Sequence, residues 1–383
     1  MDREWVLSSI DELARFTQGD RGVTRLAFSD EDHAARQYME QLMYEVGLTV
    51  RTDSFGNLIG RLEGTDPNAP AVVTGSHLDT VPEGGKYDGV LGVIGGLAAV
   101  KRLKQDGPLT HPLEVISFVA EESSRFSHAT MGSKAMTGTA NLSAWYKSKD
   151  EQGISLAEAL AHRGIELGRV KEAIRNKGEI KAFLELHIEQ GPILERTGNE
   201  IGIVEAIAAP TRLKIIVEGT AAHSGATPME ARQDALVSAA MIILAVQEIA
   251  LEHHHQGTVG TVGVLRVHPN AMNVIPGRVE MGVDIRGVDQ ESIIETIQDL
   301  KDAVSNIADS QETPVAIEVM TAEKPVALDE EIIEICEAVC RNLNISYKLM
   351  NSGAGHDAMN MAAIAPSGMI FIPCRDGLSH NPE

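Results

Sequence analysis

The stretch Ala71-Val72-Val73-Thr74-Gly75-Ser76-His77-Leu78-Asp79-Thr80, followed by Asp88-Gly89, sets the tightest limit on how this chain can fold. The apolar run reads as a buried strand, so His77 and Asp79 emerge at its C-terminal end. In an open α/β sheet that edge is where ligands gather. Alternation along a strand puts His77 and Asp79 on one side. A carboxylate beside an imidazole can accept its second N–H and fix the tautomer, the usual support of a metal-binding histidine. Asp88 lies on a Gly-rich loop that opens a helix near Gly89. One His and two Asp fit a satisfied polar strand end equally well, so the rest of the chain has to decide.

Hydrophobic periodicity predicts a helix over 31–46, stopped by Gly47. Strands follow over 48–53, 57–63 and 71–77, then a Gly- and Ala-rich helix over 89–105 and a strand over 113–120. This alternation is the α/β signature. A short helix near 155–163 precedes the strand Phe183-Leu184-Glu185-Leu186-His187. Near Pro210 the pattern changes to strand 211–219, helix 228–250, strands 259–267 and 278–286, helix 290–307 and strand 314–320. That β-α-β-β-α-β order is the split βαβ, or ferredoxin-like, arrangement. The first pattern then resumes with helix 329–342, strand 346–350, helix 356–363 and strand 368–373. The expected fold is therefore α/β with a mixed sheet flanked by helices. It forms a discontinuous domain over 1–210 and 321–383, interrupted by an α+β domain over 211–320. A chain of 383 residues exceeds one ordinary core, which agrees with two domains.

The net charge of −22 argues against nucleic acid and anionic membrane as partners. No apolar run is expected to reach the length of a membrane span, and Met1-Asp2-Arg3-Glu4-Trp5 lacks the apolar stretch of a signal peptide. Cys336, Cys340 and Cys374 form no CxxC and no even framework, so a reducing cytoplasm is expected.

Three further clusters fall on predicted strand ends. Glu121-Glu122 closes strand 113–120, and adjacent carboxylates on an extended chain point opposite ways. One can bind a metal while the other faces substrate as general base, although a solvated acidic turn would look the same. His187 and Glu189 alternate in His187-Ile188-Glu189-Gln190-Gly191-Pro192. His380 follows the last strand in Gly377-Leu378-Ser379-His380. Together His77, Asp88, Glu122, His187 and His380 offer three imidazoles and two carboxylates, a set suited to Zn²⁺, Mn²⁺, Co²⁺ or Ni²⁺. With Asp88 bridging, they suit two ions about 3.5–4 Å apart, the hydrolytic arrangement. His253-His254-His255 reads as a solvated helix end.

The segments GSHLDTVPEGGKYDGVLGV, AEESSRFSHATMGSKA, LELHIEQGPILE, AHSGATPM, NVIPGRVEMGVDIRG, SGAGHDAMNMA and GLSHNPE run in order from residue 75 to 383. In this order they resemble the M20 metallohydrolases, and within them the hydantoinase/carbamoylase branch. His187 in HIEQGP sets the chain apart from the family's peptidases, which commonly place a carboxylate there, and Arg125-Phe126 is carbamoylase-like.

The resemblance implies two divalent ions per subunit, one on His77, Asp88 and His187, the other on Asp88, Glu122 and His380. Glu121 would be the general base and Asp79 would orient His77. The interrupting domain would form a homodimer and act as a lid, with His223 reaching into the neighbouring copy's site to stabilise the oxyanion. Asn273 and Arg286 would bind the substrate carboxylate, helped by Gln190 and the backbone of Gly353 and Gly355. Arginine is the planar fork for a carboxylate. On spacing alone, a surface ion pair for Arg286 and a turn residue for Asn273 are the better readings, and the resemblance reverses that.

Ser123-Ser124 stand where the family often has Gly, a departure of small effect. Relatives are expected to continue past the SHNPE motif, which puts His380 near the end of this sequence, where fraying is expected. The implied reaction is hydrolysis of the ureido group of an N-carbamoyl-L-amino acid, with allantoate as the alternative substrate. Dipeptide cleavage is disfavoured by His187, and a metal-dead binding protein by the presence of all five ligands and Glu121.

Overall fold

The computed structural model describes residues 3–66 and 68–382. The chain forms two compact units, Met1–Glu205 with Leu328–Glu383, and Ala206–Ala327. The sequence pattern places these boundaries at 210/211 and 320/321.

The first unit is built on strands β1 (Thr49–Thr52), β2 (Leu58–Leu62), β3 (Ala71–His77), β4 (Leu113–Phe118), β5 (Ile180–Ile188), β6 (Ile201–Ile207), β7 (Tyr347–Ser352) and β8 (Ser367–Ile372). They lie in the order β1-β2-β4-β3-β5-β8-β6, with β7 beside β6. The four central strands β4, β3, β5 and β8 are mutually parallel, while β2 and β6 join them antiparallel. Every residue of β4 is buried, the pattern of a central strand covered on both faces. Parallel pairing brings the C-terminal ends of β3, β4, β5 and β8 to one edge, and the expected metal ligands lie at or after those ends.

Helix Asp30–Val46 starts where the Ser29 side chain accepts the Asp32 amide and stops at Gly47 in the left-handed region. It buries Ala35, Met39, Leu42, Met43 and Val46. Helix Val90–Leu103 lies so close to the sheet that a Cβ on Gly92 would sit 2.2 Å from the Leu186 carbonyl oxygen. Helix Arg3–Leu13 and strand β6 are additions to the sequence reading. The helix buries only Ser9, Ile10 and Leu13, too sparse a stripe to stand out in the sequence.

The second unit is a four-stranded antiparallel sheet in the order Val315–Ala322, Ala209–Glu218, Arg278–Gly287, Val259–His268. Strands 209–218 and 278–287 alternate buried and half-buried positions along their whole length. Their inner residues Leu213, Ile215, Val217, Val279 and Met281 pack with Ala239, Ile242 and Val246 of helix Ala235–His253 and Ile293 and Leu300 of helix Gln290–Gln311. This is the β-α-β-β-α-β order expected from the sequence. The first of these helices begins at Ala235 rather than 228, because the Asp234 side chain accepts the Leu236 and Val237 amides and fixes the cap there. Residues Ala235–Gln256 reach a mean hydropathy of 1.8, enough by length and composition to cross a membrane. The sequence reading expects no run of that length; one face of the helix lies in the core just described, and Val237, Met241, Leu244 and Leu251 are exposed.

Candidate metal centre

His77 ends β3 and is buried. Its Nδ1 meets the main-chain carbonyl of Asp79 at 2.9 Å, so that nitrogen carries the proton and Nε2 faces the site. The expected contact between imidazole and the Asp79 carboxylate is not the one formed, since Asp79 Oδ1 stays 3.9 Å from Nδ1. Asp79 orients His77 through its main chain. Its carboxylate instead accepts the amides of Glu121 at 3.2 Å and Glu122 at 3.0 Å. Burial, with the charges of Asp32 and Glu122, pushes the Asp79 carboxyl up to about 8.

The glutamate pair leaves β4 through Ala120, whose φ of 51° is unusual for a residue with a side chain. Amides at the start of helix Met131–Thr137 take up the freed carbonyls: Met131 donates to Ala120 at 2.9 Å and Gly132 to Val119 at 2.9 Å. The turn sends Glu121 toward His77, with Oε2 3.7 Å from Nε2, and Glu122 toward His380, with Oε1 3.3 Å from Nε2. Burial and then the neighbouring Glu122 and Asp357 raise the Glu121 carboxyl well above its usual range.

Asp88 sits between the two groups. Its Oδ1 lies 3.2 Å from His187 Nε2 and its Oδ2 3.6 Å from His380 Nε2. Burial opposes its ionisation, but His187, with His77 and His380 beyond, holds it well below the usual carboxylate range. The next residue has to be glycine. Gly89 has φ 67°, and a Cβ there would lie 2.5 Å from the His77 ring.

His187 ends β5, its Nδ1 2.9 Å from the Ile188 carbonyl. Burial disfavours its protonation, yet the facing Asp88 and nearby Glu185 raise it to about 9. Its buried Nε2 forms no aligned hydrogen bond among the described residues, although Asp88 is at hand. Gln190, at φ 58°, donates to Asp88 Oδ2 at 3.1 Å and turns a buried Oε1 toward no described partner. His380 stands on irregular chain after β8 with half its side-chain surface exposed, and Glu122, then Asp88, raise its pKa.

Ligand atoms of His77, Asp88 and His187 lie within 4.8 Å of one another, as do those of Asp88, Glu122 and His380. A third such group, Glu185, His187 and His356, lies wholly buried. Glu185 accepts Ser76 Oγ and the Ala358 amide, each at 2.8 Å, and His356 crosses the His187 ring edge-on at 4.6 Å. Sequence reasoning passes over Glu185 and His356. The available signal is a carboxylate two positions before His187 on an otherwise apolar strand. Glu189, by contrast, faces away from the site and caps helix Ile193–Thr197 through the Ile193 and Leu194 amides. Arg125 is engaged by Asp150 at 3.1 Å and the Ala27 carbonyl at 2.7 Å.

The remaining expected residues are distributed over both units. Gly353 and Gly355 follow β7 in the first unit, where a Cβ on Gly353 would meet nothing within 4 Å. His223, Asn273 and Arg286 belong to the second unit. The pairing of Ala222–His223 with Val274–Ile275 brings His223 beside Asn273, whose carbonyl accepts the Ser224 amide at 3.0 Å. Both side chains are exposed. Arg286 is gripped by both carboxylate oxygens of Asp284, at 2.7 and 3.1 Å.

Residues 73–383 match the family described as Peptidase family M20/M25/M40. The chain belongs to the M20 family. Its relatives place it in the hydantoinase/carbamoylase branch. It is 41% identical to an N-carbamoyl-L-amino acid amidohydrolase of Geobacillus stearothermophilus, over 100% of this chain and 92% of that one. It is equally 41% identical to a ureidoglycolate hydrolase of Oryza sativa subsp. japonica, over 100% of this chain and 80% of that one. The crystal structure of a hydantoinase/carbamoylase family amidase from Burkholderia multivorans superposes with a TM-score of 0.90 at 37% identity, covering 99% of this chain and 92% of that one. This M20 chain is thus a hydrolase of linear amide or ureido C–N bonds, and its candidate ligand groups fit a family that is typically two-metal dependent.

Proposed function

We propose that the chain hydrolyses the ureido group of a small N-carbamoyl acid, foremost an N-carbamoyl-L-amino acid, to the amino acid, ammonia and carbon dioxide. The observation that carries this reading is Asp88 standing between two His-containing ligand groups, with buried Glu121 beside them and outside both. The groups fit divalent ions. The buried His187 Nε2 without an aligned hydrogen bond is a ligand atom, and nitrogen and oxygen donors suit Zn²⁺, Mn²⁺, Co²⁺ or Ni²⁺. His77, Asp88 and His187 would hold one ion, and Asp88, Glu122 and His380 the other. When bound, the ions supply Lewis acidity that polarises the carbonyl and lowers the pKa of water to about 7.

The rest of the chemistry belongs to side chains. Glu121 takes the proton of the attacking water and passes it to the leaving amino nitrogen. The carbamate left behind falls apart to carbon dioxide and ammonia. Asp79 fixes Glu121 and Glu122 by their amides. Asn273 and Arg286 anchor the substrate carboxylate, with Gln190 and the Gly353 and Gly355 backbone, and His223 stabilises the oxyanion across a homodimer.

Two features of the second unit support a homodimer. Val237, Met241, Leu244 and Leu251 expose an apolar stripe on helix Ala235–His253. Strand Val259–His268 is a sheet edge with Val264 and Leu265 exposed, an arrangement natural proteins normally cover. The three cysteines are unpaired, which accords with a cytoplasmic location.

The test is ammonia release by the metal-loaded protein with N-carbamoyl-L-methionine, allantoate and ureidoglycolate side by side. Fastest turnover of the first supports the reading. Fastest turnover of allantoate or ureidoglycolate keeps the metals and base and replaces the substrate. No turnover of any ureido acid overturns it.

A further inference from the structure

Arg25 lies outside every motif that carries the family resemblance, yet it is a fully buried charge of the first unit. It has no exposed surface and forms no ion pair among the described residues. Two of its guanidinium nitrogens donate to carbonyls, and the buried Nη2 meets no described hydrogen-bond partner. Nε donates to Leu78 at 2.7 Å, and Nη1 donates to Leu13 at 2.6 Å and Phe16 at 3.0 Å. A buried cation without a carboxylate partner is costly, so a purely architectural staple would be better made from apolar side chains.

The carbonyl it grips belongs to the residue between His77 and Asp79. The main chain around Arg25 is knit to the same segment. Arg25 donates its amide to Thr80 Oγ1 and accepts the Thr80 amide, each at 2.9 Å, and Thr80 Oγ1 donates to Val23 at 2.9 Å. Val23 and Gly84 exchange both amides, at 2.8 and 2.9 Å. Residues 23–25 therefore strap the chain that connects His77 to Asp88.

We propose that Arg25 is the positioning residue of this site, its buried guanidinium fixing the Leu78 carbonyl and with it the direction of His77 and the Asp79 clamp on Glu121 and Glu122. The inference rests on the metal reading given above. Electrostatics adds a second reason for a cation here. The charge of Asp32 opposes the effect of its burial, and the guanidinium, lowered to about 10, stays protonated at neutral pH.

The experiment compares Arg25→Met, which keeps bulk without donors or charge, with Arg25→Lys, with Thr80→Val, which loosens the strap and leaves the cation, and with Ile10→Val, which weakens the packing of helix Arg3–Leu13 and leaves the hydrogen bonds of Arg25 in place. Each is purified as the full chain, and folding is checked by circular dichroism. The readouts are Zn²⁺ affinity by competition, the visible spectrum of the Co²⁺ form, and kcat and KM separately. Supporting groups of metal ligands typically carry 10–100-fold in affinity or activity, so Arg25→Met is expected to lose at least about tenfold in the tighter Zn²⁺ affinity. Its Co²⁺ bands shift and kcat falls, KM holding within about twofold, while Lys restores part of each and Ile10→Val lowers Tm alone.

If Arg25→Met binds Zn²⁺ as tightly as the parent with an unchanged Co²⁺ spectrum and only a lower Tm, Arg25 is a staple and the proposal is overturned. If Arg25→Met does not fold, Arg25→Lys, which keeps the charge and loses the fork of donors, decides by the same readouts, and parent-like Zn²⁺ affinity and spectrum there overturn it equally. A parent protein that binds no divalent ion overturns the metal reading itself, whatever the variants do.

Discussion

The two ligand groups share Asp88 and differ in everything else. His77 and His187 end neighbouring parallel strands, are buried, and each has Nδ1 fixed by a main-chain carbonyl. On the other side Glu122 is only partly buried, and His380 stands on irregular chain at φ 51° with half its side chain exposed. The first group is oriented by the sheet, and a ligand it takes meets little reorganisation. The second must be assembled by a segment that regular hydrogen bonding does not hold. One sheet edge can therefore offer two sites of unequal affinity, because a ligand atom is only as well placed as the backbone beneath it.

Variants that tell the two groups apart differ most in their effect on turnover. Glu121→Gln lies outside both groups. It is expected to lower kcat by about 10²–10⁴ while both ions stay bound, measured by steady-state kinetics beside metal analysis. Near-normal turnover would remove Glu121 as the base. His187→Ala is expected to abolish the tighter metal-binding step in a titration. His380→Ala should leave that step in place and lose only the weaker one. Equal losses from both would show that the two groups bind as one unit.

Smaller effects are expected from the residues that support the ligands. Asp79→Asn puts an N–H donor opposite the Glu121 or Glu122 amide, and a loss of about 10–100-fold in activity or metal affinity is expected, as for other supporting groups. Gly89→Ala forces a side chain into the left-handed region, at roughly 1–2 kcal/mol of stability, and crowds the His77 ring. Its denaturant midpoint should fall together with affinity for the buried ion. Dialysis against a graded chelator should release the Glu122/His380 ion before the His77/His187 ion, followed by metal content against residual activity.

Much of the sheet edge is legible in the order of residues. The run 71–73 predicts β3, alternation predicts which of its end residues face together, and all five proposed ligands fall on predicted strand ends or the loops that follow them. Asp79 shows where that reasoning stops. Sequence spacing puts its carboxylate beside His77, but a side chain can turn toward any donor within reach, and the amides of Glu121 and Glu122 come from another strand. Arg25, Glu185 and His356 escape notice for a related reason. Each acts through residues distant in sequence, and only Glu185, two positions before His187 on an apolar strand, carries a local mark. The expected start of helix Ala235–His253 lies too far upstream because the apolar period extends there, whereas the cap is set by one side chain, Asp234.

Periodicity and local turn chemistry are properties of neighbours along the chain. They suffice for the alternation of strands and helices, the change of pattern near Pro210, and the residue types that converge on one edge. Which nitrogen of His77 and His187 faces the site, which amides the Asp79 carboxylate holds, and the buried arginine behind them are matters of tertiary structure. Those choices depend on donors and acceptors brought together from separate strands, and only the folded backbone fixes their distances.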